Sequence, residues 1–205
     1  MAKKYIYNFK EAHGLGKELL GGKGAGLAEM TSIGVPIPQG FTITTEACNL
    51  YYDSGKKLPE EIVKDIYVHV AEIEKETGKN FGGDHNPLLV SVRSGARVSM
   101  PGMMDTILNL GLNDVTVAAL AKETGNERFA FDSYRRFILM FTNIAKGHPR
   151  TEMDKMLEDL KESRGYKLDT EVTADELKEL VKAYKAYYKK TFGEEFPSDP
   201  KVQLL

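Results

Sequence analysis

Two short stretches of this 205-residue chain carry residue types suited to gripping a polyphosphate. The first is Leu20-Gly21-Gly22-Lys23-Gly24-Ala25-Gly26-Leu27-Ala28-Glu29-Met30, in which glycines crowd around a lysine. Glycine lets a backbone approach a ligand closely with bare N–H groups. A helix starting there turns the positive end of its dipole toward the same space. Gly22 and Gly24 flank Lys23, whose ammonium is a mobile point charge for a phosphate. The spacing is not that of the common P-loop, because the positions that need glycine and Ser or Thr hold Lys17 and Gly24. It is not a dinucleotide fingerprint either, because Leu27 stands where the third glycine would be. A tight turn that caps a helix would use the same residues.

The second stretch is Val90-Ser91-Val92-Arg93-Ser94-Gly95-Ala96-Arg97-Val98-Ser99-Met100-Pro101-Gly102-Met103-Met104-Asp105-Thr106. An apolar strand delivers Arg93 at its end, and a loop rich in Gly, Ser and Met follows. A rigid strand end beside a mobile loop suits ligand binding, and the planar guanidinium matches pairs of phosphate oxygens. Gly102, Met103, Met104 and Thr106 would form the covering contact, the methionines lying softly against a flat base. Alternatively, Arg93 pairs with a surface carboxylate and the methionines fill gaps in a core.

The elements that must position these residues differ between the two halves. Before about Asn113, short strand-like runs alternate with helices and glycine turns. Tyr5 to Phe9 alternates as a half-buried strand, Gly24 to Ile33 reads as a short helix, and Phe41 to Thr44 is β-branched with a helix from Glu46. Pro59 opens a helix with Ile62, Ile66, Val70 and Ile73 on one face. Leu88 to Val92 and Thr106 to Leu110 complete the strands. From Asp114 on, the pattern is helical: Arg128 to Ala145 spaces Tyr134, Phe137, Ile138, Phe141 and Ile144 along one stripe. A weaker helix covers Glu152 to Glu162. Thr173 and Glu176 form a capping box ahead of Leu177, Leu180, Val181, Tyr184 and Tyr188. The helical period of the aromatic stripes assigns them to core packing rather than base stacking. The fold class expected is α+β, with a small antiparallel helical bundle in the second half.

Composition narrows the function. Lys+Arg 28 against Asp+Glu 30 gives a net charge of −2, without the basic excess of a general nucleic-acid binder, so any anion site must be local. The single cysteine, Cys48, excludes an intrachain disulfide or a cysteine metal cluster and suits a reducing, cytoplasmic setting. His13, His69, His85 and His148 show no ligand spacing. The start, Met1 to Tyr7, has no signal-peptide pattern, and no segment reaches the roughly 20 apolar residues of a membrane span.

With these residues in view, the chain resembles the pyruvate phosphate dikinase family. The matching stretches are Leu20 to Met30, Gly34-Val-Pro-Ile-Pro-Gln-Gly-Phe-Thr-Ile-Thr-Thr-Glu-Ala-Cys48, Leu89 to Leu112, Phe131-Asp-Ser-Tyr-Arg-Arg-Phe137 and Thr173 to Leu180. The related pyruvate, water dikinases share the glycine-lysine-glycine start and the valine-arginine-serine strand, but their loop lacks Ser99-Met-Pro-Gly-Met-Met-Asp-Thr106. The resemblance implies an incomplete ATP-grasp domain: a first α/β subdomain at 1–113, an inserted helical subdomain at 114–197, and at 198–205 the start of the return to the grasp, cut short. It makes Lys23 the phosphate lysine, Arg93 the triphosphate arginine and Met100 to Thr106 the nucleotide-covering loop. It gives Arg135 and Arg136 a place in phosphate contact or domain docking.

The implied enzyme interconverts ATP, phosphate and pyruvate with AMP, pyrophosphate and phosphoenolpyruvate through a phosphohistidine on a central domain in cis. The Mg²⁺ ligands and that histidine are expected beyond residue 205, so no catalytic residue and no metal ligand is assigned here, and the chain alone is expected to fold without catalysing. Its apolar end, Val202 to Leu205, is expected to be a cut within a longer chain. The full-length enzyme is expected to dimerise through a distant barrel, this piece to be monomeric, and neither nucleic acid nor membrane to be a partner. The rival readings are a pyruvate, water dikinase-like domain and a non-catalytic binding module.

Overall fold

The computed structural model describes residues 3–94 and 105–205. By contacts the chain forms two compact units, residues 1–79 with 94–104 and residues 80–93 with 105–205. Compactness therefore groups the strands around Arg93 and Thr106 with the helices that follow, not with the residues before them.

In the first unit, strand β1 (Ile6–Asn8) pairs antiparallel with β2 (Phe41–Ile43), with Tyr7 opposite Thr42. Between them runs helix α1 (Gly16–Ser32), and α2 (Thr45–Asp53) and α3 (Glu60–Thr77) follow. The stripe expected on α3 is buried: Ile62, Ile66, Val70 and Ile73, joined by His69. Ile6, Ala12, Leu20, Ala28 and Ala47 are also buried in this unit. Helix α1 begins at Gly16, earlier than the expected Gly24, and Leu20 and Ala28 are its buried apolar residues.

In the second unit, β3 (Val90–Arg93) and β4 (Thr106–Leu110) form an antiparallel pair with an irregularity between Val90 and Val92. Strand β3 sits slightly later than the apolar run Leu88 to Val92, and Leu88 itself is buried just outside the ladder. Helices α4 (Asp114–Thr124), α5 (Glu127–Met140), α6 (Thr151–Arg164) and α7 (Ala174–Phe192) make the bundle, and the short α8 (Pro200–Leu204) follows. Tyr134, Phe137 and Ile138 from α5 and Leu177, Tyr184 and Tyr188 from α7 bury against one another, and Ile107, Leu110 and Leu112 join the same core. Thr173 and Glu176 cap α7 reciprocally, the Thr173 amide donating to the Glu176 carboxylate at 3.0 Å. The segment expected to be helical to Ala145 changes to a wider π turn at Phe141–Ala145. Both ladders being antiparallel, the chain is α+β.

Candidate functional site

Helix α1 is not continuous. Gly21, at φ 70° and ψ 171°, leaves the helical region and breaks it. That region is essentially closed to side chains with a Cβ, so the glycine-rich sequence has a conformational reason at this position. The second segment restarts with Gly22, Lys23 and Gly24, and the first amides of a helix lack intrahelical partners. Lys23 thus sits in the opening turn of a helix, where the dipole favours an anion. Gly24 has a different reason for lacking a side chain: a Cβ there would lie 2.7 Å from Thr42 Cγ2 and 2.9 Å from its Oγ1. Its smallness serves packing against β2. At Gly26 a Cβ would meet nothing within 4 Å.

The Lys23 ammonium donates to the backbone carbonyl of Ser94 at 3.3 Å, a neutral acceptor, and makes no ion pair among the described residues. With three donors on the ammonium, one such bond leaves charge and hydrogens for a ligand.

Arg93 stands at the end of β3, opposite Thr106 at the start of β4. The other described arginines are committed to acceptors in the protein. Arg128 donates to the Val172 and Asp169 carbonyls, Arg150 forks onto Asp154, and Arg164 pairs with Glu176 at 2.9 Å. Arg93 is exposed and holds no carboxylate among the described residues. The alternative of a surface ion pair for Arg93 is not what the described residues display. Gly102, Met103 and Met104, expected to cover the nucleotide, lie outside the described residues.

Arg135 and Arg136 stand otherwise than expected. Arg135 is 4% exposed and bonds Asp132 at 2.8 Å and Asp169 at 3.0 Å, so its fork is spent on the bundle's own carboxylates. Arg136 reaches Asp132 at 2.9 Å from a half-exposed position. Lys161 adds a third cation, 3.2 Å from Asp169. Partial burial would raise the Asp169 pKa, but the Lys161 hydrogen bond and the charges of Arg135, Lys161 and Arg136 outweigh it and hold the carboxyl below its ordinary value. This network fastens α5, α6 and the 3₁₀ turn Asp169–Glu171 together. Asp169 falls between helical stripes, where periodicity carries no signal for its role.

Among the described residues no group of His, Cys, Asp and Glu is placed to hold a metal ion. The described residues therefore do not form a Mg²⁺ site. No helix among them is long and apolar enough to cross a membrane. Lys23 and Arg93 are each charged and without a carboxylate partner among the described residues.

Comparison with known proteins bears directly on this arrangement. The family model described as pyruvate phosphate dikinase, AMP/ATP-binding domain, matches residues 17–68 and 54–195. The chain belongs to this family. It is 56% identical over 203 residues to pyruvate, phosphate dikinase of Clostridium symbiosum, covering 98% of this chain and 23% of that protein. It is 54% identical over 199 residues to the enzyme of Entamoeba histolytica, covering 97% and 22%. It is also 51% identical over 208 residues to the chloroplastic enzyme 1 of Arabidopsis thaliana, covering 100% and 22%. The chain thus spans 22–23% of the length of these relatives. Lys23 and Arg93 both fall inside the matched region.

Proposed function

We propose that this AMP/ATP-binding chain serves a pyruvate phosphate dikinase, interconverting ATP, phosphate and pyruvate with AMP, pyrophosphate and phosphoenolpyruvate through a phosphohistidine on another domain. The observation that carries the reading is that Lys23, in the first turn of a restarted helix, and Arg93, at a strand end, each lack a carboxylate partner among the described residues, inside a family match over nearly the whole chain. Lys23 would neutralise charge on the nucleotide's phosphates from the first turn of the restarted helix. Arg93 would grip two phosphate oxygens with its planar fork. Gly22 would supply a bare amide, Thr106 a hydroxyl, and Gly102, Met103 and Met104 a cover for the base. Mg²⁺ would be held by carboxylates elsewhere in the enzyme. An ATP-grasp organisation with subdomains 1–113 and 114–197 accompanies this reading, as does a cytoplasmic location, which suits the exposed Cys48. A dimer through a distant domain belongs to the same proposal.

In the complete enzyme, Lys23→Ala and Arg93→Ala should each slow AMP formation from ATP by about 10²–10³-fold, the scale for losing one preorganised charge contact to a transferring group. Near-normal rates in both variants would discard the assignment. Turnover that proceeds without inorganic phosphate would instead point to the water-dependent relatives.

A further inference from the structure

The break at Gly21 leaves a carbonyl to account for. In an unbroken helix the Glu18 carbonyl would accept from the Gly22 amide, one turn later. With Gly21 at φ 70° and ψ 171° the chain leaves the helical path between them, and that pairing geometry is lost. The Glu18 carbonyl does not go without a donor. The hydroxyl of Thr45, at the first position of α2, donates to it at 2.7 Å. Thr44, the residue before, caps α2 with its own hydroxyl, accepting from the Ala47 amide at 3.3 Å, so the two adjacent threonines have separate tasks. The Thr44 amide in turn donates to the Tyr5 carbonyl at 2.9 Å, which fixes the start of α2 to the strand pair.

We infer that Thr45 is a positioning residue for nucleotide binding. By binding the Glu18 carbonyl it holds α1 broken, and the break is what turns the Gly22 amide, beside Lys23, away from that carbonyl. Without that hydroxyl, the Glu18 carbonyl is open to the Gly22 amide, its partner in an unbroken helix. The bond between them straightens α1, withdraws the amide from an incoming phosphate and swings Lys23 with it. The contact of Thr42 with Gly24 seats the restarted helix from the other side. This inference rests on the nucleotide reading of Lys23 given above, but it concerns a residue that touches no ligand.

The test uses the chain itself, labelled with ¹⁵N, with two readouts on the same sample. One is hydrogen exchange of the Gly22 amide without ligand. The other is the ATP dissociation constant from shifts of the Gly22 and Lys23 amides, a method that reaches millimolar affinities. The variants are Thr45→Val, which keeps the shape and removes the hydroxyl, Thr45→Ser, which restores it, and Lys23→Ala. In Thr45→Val, Gly22 exchange should slow by about 5- to 10-fold and the ATP dissociation constant should rise by a similar factor, the scale of one hydrogen bond. Thr45→Ser should return both to within about twofold of wild type, and amides of the α2 cap should not change in either variant. Unaltered Gly22 exchange in Thr45→Val would overturn the inference, as would a loss of ATP affinity that Thr45→Ser fails to restore. Lys23→Ala should weaken ATP binding while leaving Gly22 exchange as it is. An unchanged ATP affinity in Lys23→Ala would remove the nucleotide reading itself, a failure visible separately from the Thr45 result.

Discussion

Gly24→Ala separates two reasons for glycine beside Lys23. If the position is glycine because Thr42 leaves no room, alanine should destabilise the fold before any ligand is added. The added methyl would lie 2.7 Å from Thr42 Cγ2, 2.9 Å from Oγ1 and 3.3 Å from Leu20 Cβ. Ordinary carbon contacts lie at about 3.5–4.0 Å, so Thr42 must retreat by roughly 1 Å. Thr42 is β-branched and therefore stiff about χ1, and its backbone is held in register opposite Tyr7. Overpacking of this kind costs about 1–3 kcal/mol. Alanine in place of glycine within a helix returns roughly 0.5–1 kcal/mol. The net expectation is a destabilisation of about 0.5–2 kcal/mol in the otherwise native chain. With Thr42→Ala the obstructing atoms are gone, and Gly24→Ala should then stabilise by roughly 0.5–1 kcal/mol. The sign reversal is the distinctive result. Urea unfolding of the two single variants and the double variant, at unchanged slope, gives the coupling directly. If Gly24→Ala stabilises the chain with Thr42 in place, or if the coupling falls within the roughly 0.3–0.5 kcal/mol of simple additivity, the steric argument is wrong.

Two further outcomes follow from the second unit. Asp169 has its folded-state pKa depressed, so its contribution to stability is fully present above the unfolded carboxylate value and is lost as pH falls through the lower folded value. The stability gap between wild type and Asp169→Asn, followed by urea unfolding across acid pH, should be constant near neutrality and close in that acid window. A gap that widens toward acid would contradict the network. Gln203 is 4% exposed and accepts from the Gly111 amide at 3.0 Å while donating to the Leu112 carbonyl at 3.0 Å and the Pro197 carbonyl at 2.8 Å. Gln203→Ala strands buried backbone groups and should cost about 2–4 kcal/mol; a loss below about 0.5 kcal/mol, the scale of a surface change, would show that water replaces the side chain.

How much of this was readable in advance depended on whether a residue's role is periodic. The stripe Ile62, Ile66, Val70 and Ile73 and the stripe Leu177, Leu180, Val181, Tyr184 and Tyr188 repeat at helical spacing, and all of these residues are buried. The capping box of Thr173 and Glu176 is a local pattern and was legible for the same reason. Helix α4 was not singled out because its apolar residues, Val115, Val117 and Ala118 to Ala121, run together instead of marking one helical face, although Asn113 caps it by accepting from the Val115 and Thr116 amides at 2.9 Å and 2.8 Å. The glycine cluster around Lys23 announced an unusual backbone but not which glycine breaks the helix. It is Gly21 that leaves the helical region, whereas Gly24 lies against Thr42 of β2. Arg135 and Arg136 show how carboxylate partners escape a reading of the arginines alone. Asp132 pairs with both at helical spacing, three and four residues before them, while their second carboxylate, Asp169, lies far along the chain and shares no pattern with them.

The electrostatic case for an anion site rests on local contrast rather than on total charge. The chain is slightly acidic, and many of its cations are balanced within a turn or two of helix: Arg150 by Asp154, Lys182 by Glu179, Lys178 by Asp175. Such exposed pairs add little stability, but they flatten the field over the helical bundle. Lys23 and Arg93 lack that compensation among the described residues, and each stands where regular structure stops, at a restarted helix and at a strand end. A cation there is stable in water and needs no partner to fold. Its charge becomes costly only when a ligand excludes the solvent, and a phosphate group is the ligand that offsets that cost with charge-assisted hydrogen bonds. Under the proposed nucleotide reading, anion affinity in this slightly acidic chain would concentrate at Lys23 and Arg93, as a nucleotide domain requires and a general polyanion binder does not.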